Sequence, residues 1–387
     1  MIVRQFLYWV QTAPAGERAE ATSALARAYL YSDLSDDDRA AAEGAMLMLL
    51  DDASPLVRRA LAEALAASDK APPAVVHSLA ADQIEIAAIV IGRSPLFLDS
   101  DLLELIATAP PPLLEAIAAR PALPQAVSAA LAEVGSAITC LILLENAVAE
   151  IAPESFERIA ERHGDYPLLR GVLLGRGDLP ASTRQALVAR LSATLVSYIT
   201  ARDWLAEERA RKVVREACEK ATITVAASAS ASALRPLIRH LRQTKQLTAG
   251  LLLRALLSGN LVLFEEALAE LSSLTLARVA GIVHDRRGGG FRALYDKAGL
   301  PSSAYNAFRI AVETLRENGM ELEPGGTSRL RRRMVERVLT GCAAETLGDI
   351  KPLLTLLRRF AAEAAREEAR IFCDELAADH QFDRAAA

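Results

Sequence analysis

The stretch that most restricts the fold is Ser54–Ala67, SPLVRRALAEALAA. Ser54 before Pro55 is a helix-start signal. A serine hydroxyl can accept a bond from an orphan backbone N–H, and proline at the first helical position costs no hydrogen bond. Asp51 and Asp52 come just before, where the positive end of the helix dipole favours carboxylates. Leu56, Val57, Ala60, Leu61, Ala64 and Leu65 fall on one face at helical spacing, with Arg58, Arg59 and Glu63 on the other. So short a helix cannot bury its apolar stripe alone. It needs neighbours of its own kind, which predicts stacked helices.

Variants of that unit recur. Ile117–Pro124 (IAARPALP) aligns with Leu173–Pro180 (LLGRGDLP), about two units of 28 residues further on. Leu143–Val148 (LLENAV) lies between them, and Ile89–Leu96 (IVIGRSPL) lies about one unit earlier. Each unit reads as a helix, a break carrying Arg or Asn with Gly or Pro, and a second helix. Ala and Leu dominate while aromatics make up 5%, a mixture that favours helices over sheets. The expected fold is all-α: an α-solenoid of short helix pairs, then a smaller helical domain. Residues 1–220 form the solenoid, capped by helices at 2–12 and 16–31. The repeat phase ends near Leu195, and Ser197–Lys220 reads as one long helix of mixed charge. The Ala/Ser/Thr-rich stretch 221–233 reads as a linker or hinge, 234–318 as a second helical domain, and 319–387 as a helical tail.

The chemistry is sparse. A net charge of −5 argues against a nucleic-acid-binding domain. Cys140, Cys218, Cys342 and Cys373 are far apart with no CxxC pair, which reads as reduced thiols in a cytoplasmic protein. The apolar run Phe6–Val10 is too short for a signal peptide, and no run approaches the roughly 18 apolar residues of a spanning helix. The expectation is a soluble, unprocessed chain. None of the five histidines is followed by Glu, and neither HExxH, GxSxG nor a P-loop occurs. Hence no metal, cofactor or catalytic residue is expected. His284-Asp285 reads either as part of a metal-dependent phosphohydrolase set or as a plain helix end.

The best site candidate is Arg286, Arg287, Gly288, Gly289, Gly290 and Arg292. Three glycines let backbone N–H groups turn inward, and a helix N-terminus follows, so a phosphate or carboxylate could be held there. The alternative is a turn with solvated arginines. Arg329, Arg331, Arg332, Arg333 and Arg337 form a second basic cluster, for nucleic acid or anionic lipid, but without the aromatics of a single-strand binder.

The Val-Arg-Arg pattern of Ser54–Ala67 resembles HEAT repeats over roughly Arg39–Leu195. Further markers are Leu251–Leu256 (LLLRAL), Gly259–Leu261, Phe264-Glu265, His284–Arg286, Phe291–Tyr295 and Lys297–Pro301. With them, residues 1–318 resemble the alphaproteobacterial family called domain of unknown function 2336. That resemblance implies a bacterial cytoplasmic helical protein and no assigned reaction. The expected function is a non-enzymatic scaffold for another protein, regulatory or signalling. The alternative is a sensor of a phosphorylated small molecule or nucleotide at Arg286–Arg292.

Overall fold

The computed structural model describes residues 9–10, 12–285, 289–318, 326–343, 354–366, 369–370 and 373. Among these the fold is all-α. The only β pairing is a single bridge between Leu123 and Ala149. The chain forms two compact units, residues 1–179 and 180–387.

The first unit holds α1 (Ala15–Tyr31), α2 (Asp36–Leu49), α3 (Pro55–Leu65), α4 (Pro73–Ala80), α5 (Ile84–Arg93) and α6 (Asp99–Thr108). It continues with α7 (Pro111–Ala118), α8 (Gln125–Val134), α9 (Ala137–Glu145), α10 (Pro153–His163) and α11 (Pro167–Gly175). The odd-numbered helices pack each on the next from α1 to α11. In the other layer α2 packs on α4, α6 on α8 and α8 on α10. From α3 to α11 the odd helices begin 26 to 30 residues apart, the period read from the sequence. Prolines at the first helical positions of α3, α4, α7, α10 and α11 set these starts. The expected helix at 2–12 lies largely outside the described residues.

In α3, Val57, Leu61, Ala62 and Leu65 are fully buried. Burying each larger side chain contributes about 2 kcal/mol. Two details differ from expectation. Leu56 is exposed, on the side turned from the neighbouring helices. Ser54 does not cap through its hydroxyl; its own N–H donates to Asp52 Oδ1 at 2.8 Å. On the polar face, Arg58 forks onto Asp82 and donates to the Asp52 carbonyl, tying α3 to the next repeat.

The breaks between repeats carry a polar ladder. Arg120 donates to the carbonyls of Ile91 and Ser94 (2.8 Å to Ser94). Asn146 Nδ2 donates to the carbonyls of Ala118 and Arg120, both at 2.9 Å, and Arg176 Nη1 to that of Leu144 at 2.6 Å. Each rung satisfies orphan carbonyls at the end of the helix one repeat earlier. In the other layer Arg162 reaches Ala132 O at 2.7 Å and His163 meets Gly135 O at 3.1 Å. Arg93, at the matching break, is exposed and is not a rung.

The second unit begins with two long helices, α12 (Ala181–Thr200) and α13 (Glu207–Ser228). They replace the single helix expected over Ser197–Lys220. The chain turns between them, with Asp203 at φ 54°. The expected linker 221–233 is packed structure. Thr222, Ile223, Val225 and Ala226 are buried in the last turns of α13. The Ser230 hydroxyl accepts from Ala233 N at the start of α14 (Ala231–Gln243). Alanine-rich sequence favours helix, and its small side chains allow close packing. The division near 220 is therefore displaced to Leu179–Pro180.

Then come α15 (Ala249–Leu257), α16 (Leu261–Ser272), α17 (Leu276–His284), α18 (Phe291–Lys297), a 3-10 turn at Ser302–Ala304, α19 (Tyr305–Asn318) and α20 (Gly326–Ala343). The last described helix, α21, covers 354–366. α15 is buried from Leu251 to Leu257. Phe264, Phe291, Tyr295, Tyr305 and Phe308 form an aromatic cluster in this unit, and Tyr295 Oη donates to Pro301 O at 2.7 Å.

Candidate functional site

Arg286, Arg287 and Gly288 lie outside the described residues. The rest of the expected anion loop is placed. Gly289 and Gly290 form a turn, and a side chain at Gly290 would crowd Ile282 Cγ2 at 3.3 Å. Arg292 is engaged by two described neighbours. Its Nε donates to Asp296 Oδ2 at 2.9 Å and its guanidinium stacks over Tyr305 at 4.2 Å. The helix that follows has seven residues, too few for a strong N-terminal dipole.

His284 ends α17 and pairs through Nε2 with Glu265 Oε1 of α16 at 2.7 Å. Arg316 of α19 donates to the carbonyls of Val283 and Ile282 at 2.8 and 2.9 Å, which neutralises that helix end. Within the second basic cluster, Arg332 pairs with Glu336 and Arg337 with Glu317, while Arg333 is exposed. Among the described residues no three His, Cys, Asp or Glu side chains gather as a metal site requires. No described helix is long and apolar enough to cross a membrane.

Two features escaped the sequence reading. The first is a pocket of about 490 Å³ between α12, α13 and the start of α15. Glu219 is its half-buried carboxyl. Thr248 Oγ1 donates to Glu219 Oε1 at 3.1 Å, and Gly250 leaves room, since a side chain there would meet the same oxygen at 3.2 Å. Burial pushes the Glu219 carboxyl above its usual range, against the hydrogen bond from Thr248. Beside it, Gln185 Nε2 donates to Gln246 Oε1 at 3.0 Å and to Cys218 Sγ at 3.6 Å. Arg211, Arg215 and Lys245 stand at the rim. These partners come from segments 29 or more residues apart, so no local motif announces them.

The second is an apolar stripe in water. Leu191, Leu195 and Tyr198 follow one another at helical spacing along α12, and all three are exposed. Trp204, 63% exposed, meets Tyr198 edge to face at 5.8 Å, and Arg202 stacks on Tyr198 at 3.7 Å. The i, i+4, i+7 spacing was visible in the sequence, but the stripe looks like any core face until its exposure is known.

Comparison with curated proteins and with solved structures returns no match. One family model does match, over residues 86–348, described as an uncharacterised protein conserved in bacteria. The match starts later than the resemblance read from the sequence and runs through α20, into the region taken as a tail. The aligned repeats from α5 onward and the α12–α20 unit thus lie inside it, and the chain belongs to this bacterial family, domain of unknown function 2336.

Proposed function

We propose that the chain is a non-enzymatic helical-repeat scaffold that binds another protein, in a regulatory or signalling role in the bacterial cytoplasm. The exposed Leu191–Leu195–Tyr198–Trp204 stripe, with Arg202 stacked on it, carries this reading. Large apolar side chains at helical spacing cost free energy in water, and a contiguous exposed set marks an interaction surface. Trp, Tyr and Arg are the residues that dominate binding energy at protein interfaces. Elsewhere exposed apolar residues, such as Leu47 with Met48 and Val134 with Ile138, come in smaller groups along the sequence. Cys140 and Cys342, both buried and in no disulfide, fit a reducing compartment. The sensor reading at Arg286–Arg292 gains no support from Arg292, which Asp296 and Tyr305 already engage.

The test compares the tagged full-length chain with its Tyr198→Ala/Trp204→Ala variant, both expressed at native level and purified with whatever stays bound. Losing two such anchors costs about 2 kcal/mol or more each. A near-stoichiometric partner held by the unaltered chain and lost from the variant, with equal melting temperatures, supports the reading. Equal recovery from both refutes it.

A further inference from the structure

α21 is seated on a charge that the rest of the unit leaves unbalanced. Arg254 stands in the leucine run of α15 and is 4% exposed. Its Nη1 donates to Glu363 Oε2 at 2.7 Å, and its guanidinium lies 4.2 Å from the centre of the Phe360 ring. Both partners belong to α21. Arg254 Nε is buried with no partner. Glu219 of α13 acts on Arg254 only at longer range. A buried guanidinium that loses its paired carboxylate is costly, so a carboxylate at this place is a requirement of the groove and not an ornament.

The rest of the groove is mostly apolar, with Lys220, Thr224 and Ser258 among its lining. Leu357 and Phe360 are buried in it, and Arg359 adds an outer ion pair with Glu216 of α13. The seat is also not filled. A cleft of about 320 Å³ remains beside the contact, lined by Ile223, Ala227, Leu257 and Val335 as well as by Arg254 and Phe360. The groove walls α13, α15 and α20 lie within the family stretch 86–348; α21 lies beyond it. The groove thus belongs to the shared fold, while its occupant is an appended segment.

We infer that the α13–α15–α20 groove is a helix-binding site, held in this chain by its own α21. Its external partner is an amphipathic helix of another protein carrying an aromatic residue and, three positions later, a carboxylate. The aromatic stacks on Arg254 and the carboxylate pairs with it, as Phe360 and Glu363 do. α21 then acts as a tethered competitor whose high local concentration sets the threshold a partner must overcome. This surface is separate from the α12 stripe and does not depend on it.

The probe is a fluorescein-labelled peptide of residues 352–368, followed by anisotropy on the full-length chain. Phe360→Ala/Glu363→Ala in the chain releases α21, and the peptide is expected to bind this variant at least tenfold more tightly than the unaltered chain. A peptide bearing the same two substitutions is expected not to bind. Adding Arg254→Lys to the released chain keeps a charge but loses the stack and the fork, and is expected to weaken peptide binding at least tenfold. Equal peptide binding by released and unaltered chains, or indifference to Arg254→Lys, overturns the proposal. Hydrogen exchange on the unaltered chain gives a check free of variants. Saturating peptide must speed exchange in 354–366 and leave α16 unchanged; unaltered exchange in 354–366 overturns the proposal as well.

Discussion

Asn146 donates its side-chain amide to the backbone carbonyl of Arg120, whose guanidinium in turn donates to the carbonyls of Ile91 and Ser94. Three successive breaks are thereby joined, and two helix ends, those of α5 and α7, are served by two side chains. Helix C-termini leave four carbonyls without partners, and in a stacked array those ends are buried against the next repeat. Donors at the breaks carrying Arg120, Asn146 and Arg176 answer that problem. Arg120 is almost fully buried to do so, and the loss of water lowers its pKa, opposed only by the distant charge of Asp99. Arginine's high intrinsic pKa keeps it charged all the same.

The ladder can be tested at its middle rung. Asn146→Ala removes two donors and is expected to cost about 1–3 kcal/mol. Asn146→Asp has the same shape, donates nothing and sets a carboxylate against two carbonyls, so it is expected to be worse. Urea unfolding followed by circular dichroism reads both. Wild-type stability in Asn146→Asp would contradict the role assigned to this residue.

Acid is expected to weaken the first unit at its N-terminal end. Asp52 accepts a fork from Arg18 at 2.8 and 2.9 Å, and Arg58 forks onto Asp82. In each case the arginine hydrogen bond comes first in holding the carboxyl below its usual range. The folded state therefore favours the ionised form. The contribution is complete above about pH 4, the unfolded carboxylate value, and is lost as pH falls through the lower folded values. Melting temperatures measured from pH 7 to pH 3 should fall less steeply for Asp52→Asn/Asp82→Asn, which starts lower at pH 7. Parallel curves would count against these pairs.

Glu219 has the opposite sign. Its carboxyl binds a proton more tightly in the fold than in the unfolded chain, because burial disfavours the charge. Stability attributable to it is greatest at low pH and declines as pH rises from about 4 through the raised value. Glu219→Gln keeps an acceptor for Thr248 and removes the half-buried charge. It is expected to raise the melting temperature at pH 7 and to flatten this part of the profile. A lower melting temperature at pH 7 would show that the ionised carboxylate is needed.

The cysteines differ in reach. Burial pushes the Cys140 thiol up to about 11, and Cys342 is buried as well, whereas Cys373 is exposed. A thiolate is the reactive species. Iodoacetamide at pH 8 followed by peptide mass spectrometry should label Cys373 within minutes and leave Cys140 unmodified until denaturant is added. Fast labelling of native Cys140 would mean that the α9 repeat opens readily.

Local signals served the repeats well because each unit writes its own start and stop. Proline at the first turn and the Arg or Asn break located α3, α7, α9 and α11 within a few residues. The aligned Arg120, Asn146 and Arg176 even marked the ladder, though nothing in the sequence said that their donors reach back 26 to 32 residues. Errors came where composition has two meanings. Alternating Ala, Ser and Thr at 221–233 serves a flexible linker and a closely packed helix equally, and burial of Ile223 and Val225 decides for the helix. Of the arginine–glycine loop, Arg286 and Arg287 lie outside the described residues, and Arg292 has an acid four residues ahead on its own helix. Glu219 and Arg254 were illegible because their meaning lies in Thr248 and Glu363, both far along the chain.

The claim that the α12 stripe is a docking surface is tested most directly by photo-crosslinking in the native cell. A photoreactive phenylalanine analogue is placed at Leu195, at Trp204 and, as a control, at Arg59, which is exposed on α3 and paired only with Glu63 of its own helix. One discrete protein adduct is expected from positions 195 and 204, absent from position 59 and lost when Tyr198 is also changed to Ala. No adduct at 195 and 204, or the same adducts from all three positions, would contradict it.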